Sequence, residues 1–298
     1  MKLLFDIQDK IQPDPFIFED EGRFYLYVTA SEGVEAYSSD DLFGEWHYEG
    51  IVTAFREGED FWAPSVIKYD GKYYMYVSFN KKDAFEFMHV AESASPLGPF
   101  SNEKMLYNRF SIDSHAVQTA DGLFLWFAQD SYEGERIGTR VFVDRLLDPY
   151  TPEGKPVEKI VPTFDQEIFT PSYREDNRWH TIEGPFWFQE GEWQYVMYSG
   201  GCYQDDTYHI GYSCAKTSES DLCSIEYEKH TNGGAFAPVL IKNVHEEGTG
   251  HHSVIKYNGE YYAIYHARDY NDKKGEQRTA RICRLHVKDG IISAELML

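Results

Sequence analysis

Short runs of aromatic and β-branched residues recur in pairs along the chain, and each pair is broken by an acidic or Gly-containing turn. The first pair is Asp14-Pro15-Phe16-Ile17-Phe18 and Gly22-Arg23-Phe24-Tyr25-Leu26-Tyr27-Val28. The second is Ala63-Pro64-Ser65-Val66-Ile67-Lys68-Tyr69 and, after Asp70-Gly71, Lys72-Tyr73-Tyr74-Met75-Tyr76-Val77. Further pairs begin at Ser114-His115-Ala116-Val117, at Gly184-Pro185-Phe186-Trp187-Phe188 and at His252-Ser253-Val254-Ile255. Asp-Gly and Asn-Gly supply the positive φ angles that a tight hairpin turn needs, so each pair predicts a hairpin of two strands. A third strand follows in Val34-Glu35-Ala36-Tyr37-Ser38, Met88-His89-Val90-Ala91-Glu92-Ser93 and His209-Ile210-Gly211-Tyr212-Ser213. Breakers such as Ser95-Pro96-Leu97-Gly98-Pro99 then lead to an outer strand.

Taken at Asp14, Ala63, Ser114, Gly184 and His251, the units lie 49, 51, 70 and 67 residues apart. Four-stranded units at that period predict an all-β chain, a five-bladed β-propeller, as a single domain over residues 1–298. A solenoid would repeat faster and more evenly, and a sandwich leaves five similar hairpins unexplained. Composition agrees: 23 Tyr and 20 Phe favour strands over long helices.

The net charge of −22 disfavours nucleic acid and anionic membrane surfaces as partners and leaves neutral sugars open. Cys202, Cys214, Cys223 and Cys283 form no C-x-x-C pair, which points to free thiols in a reducing compartment. Met1-Lys2-Leu3-Leu4-Phe5-Asp6 meets a charge too soon for a secretory leader, so the expected address is cytoplasmic. No Gly-rich phosphate loop and no G-x-S-x-G elbow competes for the chemistry.

In a propeller the first strand of each blade lines the central axis, so residues at the strand starts converge from distant parts of the chain. Asp14, Asp113 and Glu183 occupy such places in the first, third and fourth units. An acid beside a turn is common, and one alone means little. Three at matching places supply what glycoside hydrolysis needs: one carboxyl kept protonated and another kept ionised.

Gln12-Pro13-Asp14-Pro15, Phe61-Trp62-Ala63-Pro64, Phe110-Ser111-Ile112-Asp113, Thr181-Ile182-Glu183-Gly184-Pro185 and Gly248-Thr249-Gly250-His251 resemble the blade-start motifs of glycoside hydrolase family 43. The resemblance runs in order over nearly the whole chain. It implies an inverting enzyme in which Asp14 is the general base, Glu183 the general acid and Asp113 the residue that tunes and orients that acid. Inversion requires about 6.5–9.5 Å between base and acid. Trp62 resembles the aromatic wall of the sugar site, against the plainer reading of a core Trp between blades. His251 matches an axial His, which implies a structural calcium ion in the central channel with His251 at it or at its water shell. No cofactor is implied for the chemistry itself. His252 points to the opposite face of its strand and is read as structural. Arg278 matches a sugar-binding Arg, although Arg281 is placed to take the same role.

The implied reaction removes terminal pentose, α-L-arabinofuranose first, from arabino-oligosaccharides or arabinoxylan fragments. A β-xylosidase or galactofuranosidase with the same acids, and a sugar-binding propeller without turnover, are the alternatives. The linker of about 148–178, with Tyr150, Phe164, Phe169, Tyr173 and Trp179, either walls one side of the pocket and favours exo action or merely joins two blades.

Overall fold

The computed structural model describes residues 10–55, 57–81, 85–169, 178–271 and 277–297. The aromatic pairs are hairpins, and the strands follow one another as neighbours. The first antiparallel set is β1 (Phe16–Asp20), β2 (Arg23–Val28), β3 (Glu35–Ser39) and β4 (His47–Ile51). The second is β5 (Glu59–Tyr69), β6 (Lys72–Asn80), β7 (Phe87–Ser93) and β8 (Ser101–Met105). Next come β9 (Ile112–Thr119), β10 (Gly122–Ser131) and β11 (Gly138–Asp148), with the short β12 (Thr151–Pro152) and β13 (Val157–Ile160) both on the edge of β11. They are followed by β14 (His180–Glu190), β15 (Trp193–Gly200), β16 (His209–Lys216) and β17 (Glu228–Lys229). The last set is β18 (Glu246–Tyr257), β19 (Glu260–Asp269), β20 (Thr279–Lys288) and β21 (Ile291–Leu296). A short parallel contact, Gly138↔His180 and Thr139↔Thr181, joins β11 to β14, so the β9–β13 and β14–β17 sets form one nine-stranded sheet.

Continuous apolar runs in the second strands reflect burial on both faces, with successive side chains sent to opposite neighbours. On β2, Tyr25 and Tyr27 pack with Val66, Met75 and Val77 of the second set. The alternate residues Phe24, Leu26 and Val28 pack with Tyr262, Ile264 and Ile282 of the last set. Three further cores join the second set to the third, the third to the fourth and the fourth to the last. Each set therefore shares a core with the one before and the one after, and the last shares one with the first.

The innermost strands repeat an unusual backbone feature. Asp14, Ala63, Asp113, Gly184 and His251 all have φ between 43° and 61°. In the four longer inner strands this residue lies at or beside a break in register with the neighbouring strand, as between Glu183 and Phe186 or Gly250 and His252. A left-handed residue in a strand makes a bulge that re-aims its neighbours, at a cost of about 1–2 kcal/mol for a residue with a Cβ. Four of the five positions carry that cost, and backbone strain of this kind collects at functional sites.

The bulges also correct the alignment of the units. Three equivalent carboxylates are expected from the repeat, but Asp14 and Asp113 themselves take the left-handed angle whereas Glu183 comes one residue before it, level with Trp62. Gly184 takes the strained angle in that unit, at φ 58°. The acid thus leaves its strand in a different direction from the other two.

Candidate active site

Asp14, Asp113, Glu183, Trp62, His251 and Arg278 line one pocket of about 670 Å³, within the size range of sites for small ligands. Thus six of the residues singled out from the sequence reach one place, and Arg281 does not.

Asp14 is 9% exposed and is surrounded by donors. Thr29 Oγ1 donates to its Oδ2 at 2.6 Å. Its Oδ1 lies 3.2 Å from His266 Nδ1, 3.4 Å from His251 Nδ1 and 3.5 Å from Arg278 Nη1. Its backbone N–H donates to His266 Nδ1 at 3.1 Å, which requires that nitrogen to be unprotonated. Burial pushes the Asp14 carboxyl up, but the charges that His251 and His266 carry once protonated in acid, with the Arg278 guanidinium, outweigh it and hold the group far below the usual carboxylate range. Burial keeps both imidazoles neutral, with His266 pushed down to about 4. Arg278 is therefore the cation that persists beside Asp14 at neutral pH.

Glu183 faces the opposite situation. Burial raises its pKa to about 7, the Tyr208 hydroxyl opposes the rise, Asp14 and Asp130 add to it, and Arg278 lowers it. Asp113, 5% exposed, is likewise driven up by burial and by the charges of Glu183 and Asp14, while the Gly184 N–H donates to its Oδ2 at 2.9 Å. Two acidic groups in one poorly solvated place resist double ionisation, so the Asp113–Glu183 pair keeps a proton near neutral pH.

The two readings of Trp62 and the choice between arginines are decided by position. Trp62 is half-buried on β5 and forms part of the pocket wall, not the core between sheets. Arg278 lies in the pocket with its guanidinium 4.6 Å from the Tyr203 ring. Arg281 is turned into β20 and paired with Glu246 at 3.1 Å and Asp269 at 2.7 Å, a structural role. Within the long linker, Phe169 and Trp179 reach the pocket. Tyr150 instead packs edge-on against Tyr74 and Phe164 against Phe236, while Tyr173 lies outside the described residues.

The residues fit a calcium ion poorly. Calcium takes six to eight oxygen ligands. Among the described residues no group of three or more His, Cys, Asp or Glu side chains could hold a metal ion. Beneath His251 only about 10 Å³ remains between the inner strands, roughly the space of one water. Phe16, Phe186, His115 and His252 close the channel there, with His115 stacked on Phe186 at 4.0 Å. His252 is neutral and structural, as read from the alternation of β18.

Thr29, Asp130, Tyr203, Tyr208 and His266 also line or support the pocket and were not singled out from the sequence. Thr29 directly follows β2, and Asp130 and His266 lie near the ends of β10 and β19, the second strands of their hairpins. A hairpin brings the end of its second strand back to the start of its first, so these ends were the signal available.

The family model for glycosyl hydrolases family 43 matches residues 7–292. An extracellular exo-alpha-(1->5)-L-arabinofuranosidase of Streptomyces avermitilis is 27% identical over 88% of this chain, which spans 56% of that protein's length. A xylosidase/arabinosidase of Bacteroides ovatus is 23% identical, with 91% of this chain and 90% of that protein covered. Among solved structures, a thermostable family-43 glycoside hydrolase superposes with a TM-score of 0.82 at 31% identity, covering 95% of this chain and 92% of its own. An alpha-L-arabinofuranosidase from Lactobacillus brevis gives a TM-score of 0.78 at 19% identity, with 99% and 98% covered, a likeness of fold.

Proposed function

Because this chain belongs to glycosyl hydrolases family 43, we propose that it removes terminal α-L-arabinofuranosyl residues from arabino-oligosaccharides or arabinoxylan fragments, with inversion. The reading takes the five antiparallel sets as the blades of one propeller, a single catalytic domain over residues 1–298. Its support is the closed cycle of five shared cores and the five repeated left-handed residues.

One observation carries the mechanism: carboxyl groups in one pocket are driven in opposite directions, Asp14 toward the anion and Glu183 toward the acid. Such a separation of pKa values assigns base and acid. Asp14 takes a proton from water as that water's oxygen bonds to the anomeric carbon. The bond from that carbon to the leaving oxygen breaks, and Glu183 gives its proton to the departing oxygen. Asp113 accepts from the Gly184 N–H, so it braces the bulge beside the acid. Trp62 forms a wall for the sugar ring, and Arg278 presents donors to its hydroxyls while keeping Asp14 ionised. Phe169 and Trp179 narrow one side of the pocket, which favours exo action.

No step passes through a metal ion. Chelation is expected to leave both kcat and melting temperature unchanged; a fall in either on chelation, restored by added calcium, would refute the metal-free channel. Cytoplasmic action on short imported oligosaccharides completes the proposal.

The name of the Bacteroides ovatus relative favours a second reading, a β-xyloside substrate. A panel of nitrophenyl α-L-arabinofuranoside, β-D-xyloside and β-D-galactofuranoside separates them. Release from the arabinofuranoside that disappears in Asp14→Asn supports the proposal, and release from the xyloside alone replaces its substrate. Stoichiometric sugar binding without product from any of them, or from oligosaccharides, identifies a binding propeller instead.

A further inference from the structure

Tyr208 is 1% exposed, and its hydroxyl donates to Glu183 Oε1 at 2.7 Å. That is the hydroxyl's only hydrogen bond among the described residues. A buried phenol needs an acceptor for its proton, and Glu183 is the acceptor available. Burial and the neighbouring carboxylates push the phenol's own ionisation far up, so it stays a donor at every working pH. The ring is held at a face and at an edge. It stacks on His266 at 5.6 Å with an 11° tilt, and His266 in turn contacts Asp14. Against its Cδ1–Cε1 edge lies Gly250, where a Cβ would meet Tyr208 Cε1 at 2.0 Å. Glycine at position 250 of Gly248-Thr249-Gly250-His251 thus makes room for the phenol.

We propose that Tyr208 is a positioning residue for the general acid: by occupying Oε1 as a donor, it leaves Oε2 of Glu183 as the oxygen that carries the transferable proton. The inference rests on Glu183 being the acid. During the reaction the Oε2 proton passes to the leaving oxygen as the glycosidic bond breaks. The new carboxylate then gains strength in its bond from Tyr208, which keeps its own proton throughout. The stack on His266 holds the phenol against the same group that braces the base, so acid and base share one support.

Other groups act on Glu183 from around the pocket: Asp14 and Asp130 raise its proton affinity, Asp113 competes for the same proton, and Arg278 lowers it. Tyr208 differs from them in making a directional hydrogen bond. Its loss destabilises the carboxylate and raises the acid's proton affinity.

The test compares wild type, Tyr208→Phe and Glu183→Ala on the nitrophenyl glycoside selected by the panel and on the unactivated disaccharide of the same sugar. In Tyr208→Phe the alkaline limb of kcat/KM should move up by about one pH unit, the size expected for one hydrogen bond to a charged group. Plateau kcat on the disaccharide should fall about tenfold, with the nitrophenyl glycoside much less affected because its leaving group needs little protonation. Gly250→Ala, which pushes on the edge of the ring, should move the limb in the same direction. An unmoved limb in both variants, or equal losses on the two substrates, would overturn the proposal. Glu183→Ala tests the premise: equal losses on both substrates there would remove the acid assignment and this proposal with it. A strong leaving-group dependence in Glu183→Ala beside an unmoved limb in Tyr208→Phe would sink the role of Tyr208 alone.

Discussion

Asp14 and Glu183 line one pocket, and burial opposes the ionisation of both. Their surroundings then diverge. On the Asp14 side, Thr29 donates, Arg278 supplies a lasting positive charge and two imidazoles stand within 3.4 Å. On the Glu183 side, one phenol donates while Asp14 and Asp130 oppose a further negative charge. The backbone differs as well, since Asp14 itself takes the left-handed angle and Glu183 precedes a glycine that takes it instead. The lesson is that neighbours, not residue type, set the protonation state: the same functional group is held as anion or as acid according to what lies within a few ångströms.

The comparison can be broken most severely at the base. Asp14→Asn should lower kcat by about 10⁴-fold, the upper range for a positioned general base, on activated and unactivated glycosides alike. An equal loss on both is the signature, and steady-state kinetics with one substrate of each kind reads it.

Next is the acid. Glu183→Gln should cost about 10³-fold on an unactivated glycoside and far less on an aryl glycoside with a good leaving group. In the wild type, kcat/KM should decline above about pH 7 as Glu183 ionises. The Gln variant, with nothing to titrate there, should lose that decline.

Arg278 touches both sides at once. Removing its charge raises the proton affinity of Asp14 and of Glu183, so in Arg278→Ala both limbs of the pH profile should move to higher pH, by about half to one unit at the alkaline limb. Movement of one limb only would show that the arginine serves one carboxyl.

The smallest effect lies below the pocket. Burial pushes His252 down to about 3 in the folded chain, against about 6.5 for an exposed histidine. Between those values the unfolded chain binds the proton and the folded chain does not, so stability is full above pH 6.5 and declines as pH falls toward 3. Each such histidine contributes about 1.4 kcal/mol per pH unit in that window. His252→Leu should soften the fall of melting temperature between pH 6.5 and 4 and leave turnover at pH 7 unchanged. A change in the pH–rate profile would instead connect this histidine to the acid–base pair above it.

Much of this was legible along the chain. Asp70-Gly71 and Asn258-Gly259 mark hairpin turns whose central residues all have positive φ. The run Phe24-Tyr25-Leu26-Tyr27-Val28 reads as a strand buried on both sides, and it is one. Asp14, Asp113, Glu183, Trp62, His251 and Arg278 were selected from strand starts and motif resemblance, and all line the pocket. The offset of Glu183 was harder to see, because a bulge moves the pairing by a residue without changing the hydrophobic pattern. Tyr208 carried no motif of its own. Arg278 and Arg281 looked alike until β20 turned one into an internal ion pair.

The dividing line is physical. A turn residue's φ preference and the alternation of side chains act over two to eight residues, so hairpins, their repetition and the strand starts are written locally. Proton affinity is a sum over spatial neighbours. For Asp14 those neighbours include His266, 252 positions away along the chain. Only the folded chain sets that distance, and with it the protonation state of each carboxyl.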